Sequence, residues 1–358
     1  MNERSLPTAQ IHGILNGKQV QCYTLSNSQG MTATVSELGA HLTSVTIPGP
    51  DRKDIELTLG HANFEGWCNN GPSLGSTCGR FGNRIAHGEF SLNGKQYTLA
   101  TNNEPGGIPC HLHGGNEGFN RKIWKATPLG ESKRQGVAFT LSSPDGDEGY
   151  PGKLDVTVTY WLSDDNELIW QAKATTDMAT PVNLVNHTYW NLSGDFNQAI
   201  TDHEIQIHAD HYLPTNPGMI PTGEIRSVKN TPMDFTQPKP IGKDIDTSYE
   251  SLNLGAGYDH CWVLNQCDGK LHTAAIVQHP ASGRRLEVLT DQPGVQFYTG
   301  NFLDGSVQGR NGNTFPKRTG LCLETEGFPD APNHPNFPSS ILHPGETYQH
   351  TMVVKFQA

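Results

Sequence analysis

The chain has 358 residues, with 25 Lys and Arg against 36 Asp and Glu and a formal charge of −11. This acidic balance, without any Lys/Arg cluster, argues against a nucleic-acid partner, which needs a basic face. No stretch approaches the roughly 18 apolar residues that span a bilayer, so no membrane partner is expected either. Seven cysteines, an odd number without CxxC spacing, argue against a disulfide framework and a structural zinc site. The opening Met1-Asn2-Glu3-Arg4-Ser5-Leu6-Pro7 lacks the apolar core of a signal peptide. A cytoplasmic protein with reduced thiols is expected.

The 39 Gly and 24 Pro are spread along the chain between apolar runs, as in a folded, turn-rich protein. No linker divides it, and all-β folds often run beyond 200 residues as one unit, so residues 1–358 are read as a single domain. Residues 31–47 are rich in Thr, Val and Ile. Phe90 to Leu99 carries Asn93-Gly94 at its centre, the strongest short hairpin signal. Leu154, Val156, Val158 and Tyr160 alternate with polar residues, and Asp164-Asp165-Asn166 turns the chain back through Leu168 to Thr175. Residues 271–279 and 284–290 flank Ala281-Ser282-Gly283, and Tyr348, His350, Met352, Val354 and Phe356 share one face of a last strand. The period of two dominates and no long segment has helical period. An all-β fold, a large antiparallel β-sandwich with few short helices, is predicted.

Several polar clusters interrupt these strands. Gly79-Arg80-Phe81-Gly82-Asn83-Arg84-Ile85 sets two arginines and an amide on a Gly-rich segment whose backbone is free to approach a ligand. His111 and His113, at i and i+2, share a face if the segment is a strand; Cys110 or a distant acid would complete a metal shell. No other ligand cluster accompanies them, and no metal is expected. Asn186 to Leu192 interleaves His187 with aromatic residues, a composition suited to sugars, and Trp190 is a candidate cleft wall. Tyr258-Asp259 adds a carboxylate and Gly294 to Asn301 adds the Gln296 amide. In Gly320 to Gly327 the strand alternation turns Leu321, Leu323 and Thr325 one way and Cys322, Glu324 and Glu326 the other. A glutamate there suits a fixed general base. Alternation alone does not choose between Glu324 and Glu326, and a solvated strand face is the plain alternative.

Taken in order, these motifs, with Leu323-Glu324-Thr325 and Pro329-Asp330-Ala331-Pro332-Asn333, resemble those of the aldose 1-epimerases, or galactose mutarotases. The segments from Leu25-Ser26-Asn27 through Gly39-Ala40 to Leu59-Gly60-His61 resemble the family's N-terminal strands, so the likeness spans nearly the whole chain. The resemblance implies a mutarotase β-sandwich with an open carbohydrate cleft and no cofactor. It implies Glu324 as general base, His187 as general acid, and Asn83, Arg84, His113, Asp259 and Gln296 as substrate-holding residues. Trp67 and Trp190 stand where other aromatics are common in the family.

The implied reaction removes the C1 hydroxyl proton of a hexose such as galactose or glucose, protonates the ring oxygen, turns the aldehyde and recloses the ring. Ordinary pKa values of roughly 4.3 for Glu and 6.5 for His serve it at neutral pH. Two other readings stay open. One is a relative acting on hexose 6-phosphates, with Arg80 as a phosphate ligand; the other is a non-catalytic carbohydrate-binding sandwich. Neither implies more than a small-molecule partner and a monomer or homodimer.

Overall fold

The computed structural model describes residues 5–50 and 53–357. Two large sheets dominate it. One has nine strands in the spatial order 125–131, 134–143, 154–163, 167–176, 348–357, 285–290, 272–278, 204–207 and 239–240. The other has six, in the order 189–190, 321–326, 294–298, 259–263, 211–212 and 226–227. A five-stranded meander over residues 8–56 adds a third layer. The pairings within these sheets are antiparallel. The two α-helices of the described residues, Phe64–Cys68 and Glu250–Gly255, are short. No helix among the described residues is long and apolar enough to cross a membrane.

The predicted hairpins form. Glu89–Leu92 pairs with Lys95–Thr98, Leu154–Ser163 with Glu167–Thr176, and His272–Gln278 with Arg285–Thr290. Period-two patterning is what packs them. Val156, Val158 and Tyr160 face Trp170, Ala172, Val288, Val354 and Phe356 in one core, and the six-stranded sheet adds Trp190, Trp262, Val295, Phe297, Leu321 and Leu323 to it. Burying side chains of this size contributes roughly 1.5–3 kcal/mol each. One face of the six-stranded sheet is thereby committed to the core, and the opposite face is left for chemistry.

Candidate active site

Directly opposed residues of an antiparallel pair share a face, so the register of the six-stranded sheet fixes the site. One row runs Cys261, Gln296, Glu324; the next runs Asp259, Tyr298, Cys322, Tyr189. Both rows lie away from the core. From them Asp259, Gln296, Tyr298 and Glu324 floor a cleft of about 450 Å³ walled by Arg84, His113, His187, Tyr189 and Phe302. The opposite rows, including His260, Phe297 and Leu323, point inward. The expected split of Leu321, Leu323 and Thr325 from Cys322, Glu324 and Glu326 is therefore real, but neither face is solvated: all six residues are buried.

His187 ends the strand Val185–His187, which pairs with Ser76–Cys78. Its Nε2 is 3.5 Å from Glu324 Oε1, and its ring sits 5.1 Å from those of Tyr189 and His113. On its other side Nδ1 meets Cys322 Sγ at 3.6 Å. Asp259 accepts from Gln296 Nε2 at 2.7 Å, which fixes both side chains. Seven groups predicted from sequence, Asn83, Arg84, His113, His187, Asp259, Gln296 and Glu324, line this one cleft.

Asn83 and His113 hold each other. Each has a left-handed backbone, φ +64° and +52°, a conformation that Asn tolerates better than most residues. The Asn83 N–H donates to His113 Nδ1 at 3.1 Å, and the His113 N–H donates to the Asn83 carbonyl at 3.2 Å. A backbone N–H can only donate, so Nδ1 is an acceptor and the neutral ring carries its proton on Nε2. Gly114, φ +88°, must be glycine because a Cβ there would lie 1.7 Å from the Gly79 carbonyl oxygen. The loop after Glu324 anchors the other wall: the Asp330 N–H donates to the Arg84 carbonyl and its Oδ1 accepts from the Ala86 N–H. Arg84 itself makes no ion pair among the described residues.

Electrostatics departs from the sequence expectation of ordinary pKa values. Burial, and then the nearby Asp259 carboxylate, push Glu324 well above the usual carboxylate range, with Arg84 pulling the other way. Burial lowers His187 to about 4. Asp259 is raised by burial against the pull of Arg84 and Gln296, and His113 is held well below 6.5 by burial and by His187. Burial thus favours the uncharged forms of both Glu324 and His187.

Three sequence expectations are corrected. Arg80 is not in the cleft: its guanidinium is buried and donates to Ser143 Oγ and to the carbonyls of Ser143, Pro144 and Pro151. His111 and His113 do not share a strand face, because the strand Cys110–Leu112 ends between them; His111 Nδ1 bonds the Ala100 carbonyl instead. Trp190 faces the core, 5.5 Å from the Phe356 ring, and its neighbour Tyr189 takes the cleft position. Trp67 lies outside the cleft, among His12, His41 and His61.

His113, His187 and Glu324 bring three potential ligand atoms within 4.8 Å of one another. The donor set does not suit a metal. A ligating histidine donates its second ring N–H to a partner, whereas His113 Nδ1 must accept one. The same objection holds for Asp202, His203 and His279, since His203 Nε2 accepts the Leu192 N–H.

Tyr189, Tyr298, Phe302, Asn103 and Glu104 were missed as cleft residues. Tyr298 was within reach of sequence reasoning, being two residues from Gln296 on one strand; Asn103 and Glu104 lie in a loop that carries no motif. A second concavity of about 410 Å³ lies on the outer face of the nine-stranded sheet, between Thr140, Asp155, Thr157 and Lys173. It gathers no carboxyl–imidazole pair.

The profile of the aldose 1-epimerases matches residues 21–355. Among relatives, the galactose mutarotase of Homo sapiens is 46% identical over 318 residues, 89% of each chain. The aldose 1-epimerase of Escherichia coli (strain K12) is 38% identical over 346 residues, 96% of this chain and 97% of that one. Among solved structures, galactose 1-epimerase from Lactobacillus acidophilus NCFM superposes with a TM-score of 0.86 at 28% identity, covering 99% of both chains. A GalM/aldose epimerase homologue from C. elegans gives 0.83 at 31% identity, covering 93% of this chain and 98% of that one. The chain belongs to the aldose 1-epimerase family. Its reaction is the interconversion of the α and β anomers of aldoses.

Proposed function

We propose that this chain acts on free hexoses such as galactose and glucose, with Glu324 as general base and His187 as general acid. The observation that carries the reading is the approach of His187 Nε2 to Glu324 Oε1, 3.5 Å, on a buried floor ringed by sugar-compatible donors and acceptors. Arg84 and the His113 Nε2–H donate to sugar oxygens; Asp259 accepts from hydroxyls, and Asn83 and Gln296 fix the holders.

Glu324 and His187 work as a pair that holds one proton. In the empty cleft burial places it on Glu324. When a sugar supplies hydroxyl dipoles, the proton moves to His187, giving a carboxylate and an imidazolium. The carboxylate takes the proton from the C1 hydroxyl and the imidazolium gives its proton to the ring oxygen, so the C1–O5 bond breaks as the C1=O bond forms. This returns the pair to a neutral carboxyl and a neutral imidazole, the state that burial already favours. The aldehyde turns about C1–C2 and the same transfers run in reverse.

Charge supports a free sugar over a sugar phosphate. Arg84 is the one Lys or Arg side chain that lines the cleft, and Arg80 is spent inside the fold. All the groups named come from one chain, in keeping with a monomer or homodimer. Seven free thiols support a reducing, cytoplasmic setting. Polarimetry on a panel of pure anomers tests the reading: accelerated mutarotation of galactose and glucose is expected, and catalysis confined to 6-phosphates would overturn it.

A further inference from the structure

A second glutamate lies under the cleft without lining it. Glu326 is 0% exposed and stands two residues beyond Glu324 on the same strand face, roughly 7 Å along. Its cross-strand partner is Gly294, where a Cβ would come within 2.7 Å of Cys261 Sγ. Glu326 Oε1 accepts from Asn83 Nδ2 at 3.1 Å, while Oε2 meets no donor in hydrogen-bonding geometry among the described residues.

We propose that Glu326 is a positioning residue that works as the neutral carboxylic acid, anchoring the Asn83 amide and through it the clasp that presents His113 to the sugar.

Asn83 is fastened at four points. Its Nδ2 reaches Glu326, its Oδ1 accepts the Arg84 N–H, and its backbone N–H and carbonyl both engage His113. With a left-handed backbone at both residues, the clasp depends on that side-chain anchor more than an ordinary turn does. Removing the acceptor frees the amide and loosens two sugar-holding groups, His113 and Arg84, together.

The neutral form follows from what surrounds the carboxyl. The six-stranded sheet contributes the Glu324 and Asp259 carboxyls and the Cys261 thiol; neighbouring strands and loops contribute the Cys78 thiol, the Tyr348 phenol and the Asn183 amide. No cation pairs with it among the described residues, and Arg84 acts on Asp259 and Glu324. A buried carboxylate with one well-formed hydrogen bond, the Asn183 amide and the Cys261 thiol as its weaker polar contacts, no cation and two acidic neighbours is costly, and protonation removes the cost. Burial and then Glu324 push it well above the usual carboxylate range. A neutral acid here also spares the catalytic glutamate a like charge.

The inference rests on Glu324 and His187 as the acid–base pair. The test compares E326L, E326Q and E324Q in galactose mutarotation. E326L removes the acceptor and should raise KM about tenfold or more with a smaller change in kcat. E326Q matches the neutral acid in shape and keeps an amide oxygen for Asn83, so it should rescue KM and leave the acid limb of the kcat/KM profile in place. Infrared difference spectra of wild type against E326Q should show a protonated carboxyl. An acid limb displaced by about one pH unit to lower pH in E326Q would mean that an anion had been removed, and would overturn the proposal, as would an unchanged KM in E326L. If E326L does not fold, the E326Q profile and infrared band decide alone. Failure of the acid–base reading looks different: E324Q would then keep its turnover, whatever the variants at 326 do.

Discussion

His187 Nε2 faces Glu324 Oε1 across 3.5 Å in a site where both side chains are less than a tenth exposed. Both groups line the same cleft, so a sugar seated there meets a carboxyl and an imidazole together. Replacing Glu324 by Gln keeps size and hydrogen bonding but removes the proposed base. Sugar binding should largely survive while turnover falls by roughly 10²–10⁴. His187→Asn should likewise lower kcat more than affinity. Polarimetric kinetics with a direct binding measurement check both, and near-normal turnover in Glu324→Gln would remove it as the base.

Much of this site was legible in the sequence, and the reasons are specific. Strand alternation placed Glu324 with Glu326 and opposite to Leu323, and the register then confirms that split. The choice between the two glutamates needed the family motif, because alternation repeats every second residue. Trp190 was misplaced for the converse reason: which face of the two-residue strand Tyr189–Trp190 looks into the cleft depends on its pairing with Leu321 and Cys322, a contact more than 130 residues away in sequence. Arg80 and Arg84 looked alike on one Gly-rich segment, and only tertiary packing turned Arg80 into the fold and Arg84 into the cleft wall. The pKa values of Glu324 and His187 were out of reach because desolvation is a property of the folded environment.

Those two arginines make a paired test. Arg84 has one long hydrogen bond, Nε to Asn103 Oδ1 at 3.4 Å, so Arg84→Ala should leave the fold intact while raising KM and lowering kcat/KM at least tenfold. Arg80 donates four hydrogen bonds from a buried guanidinium. Truncating it leaves the carbonyls of Ser143, Pro144 and Pro151 short of donors, so Arg80→Ala should lose several kcal/mol of stability. Denaturant titration and kinetics on the two proteins check the contrast; equal stability losses would refute it.

Acid sensitivity should depend on His41. It is fully buried, with its ring 5.5 Å from that of Trp67, and burial lowers it to about 3. In the unfolded chain it titrates near its ordinary value of roughly 6.5. Between those values the unfolded state binds the extra proton, so stability rises with pH. This contribution is complete above pH 6.5 and is lost progressively as pH falls toward 3, at about 1.4 kcal/mol per pH unit. Glu324, Glu326 and Asp259, raised in the fold, act in the opposite sense, but they are common to wild type and variant. His41→Phe should therefore flatten the difference in stability between pH 6 and pH 4 by one proton's worth. Urea unfolding at several pH values measures it, and parallel curves for the two proteins would show that His41 does not titrate on unfolding.

The cleft's charge makes a prediction about substrate choice. Glu104 stands exposed at the edge of the ligand space, and Arg84 is the one Lys or Arg among the lining residues. A 6-phosphate would bring close to two further negative charges into that space, and with Arg80 buried no second guanidinium is available to meet them. Galactose 6-phosphate should consequently show a kcat/KM at least tenfold below that of galactose. The deficit is electrostatic, so added salt should narrow it, because exposed charges are screened over roughly 10 Å at 0.1 M. Glu104 is exposed at the cleft edge, and Glu104→Gln should recover part of the loss for the phosphate while altering galactose little. Paired assays of the two sugars across ionic strength decide the matter. Equal efficiency at low salt would mean that the charge of the lining does not select the substrate, and a preference for the phosphate would place a cation in the cleft that its lining residues do not provide.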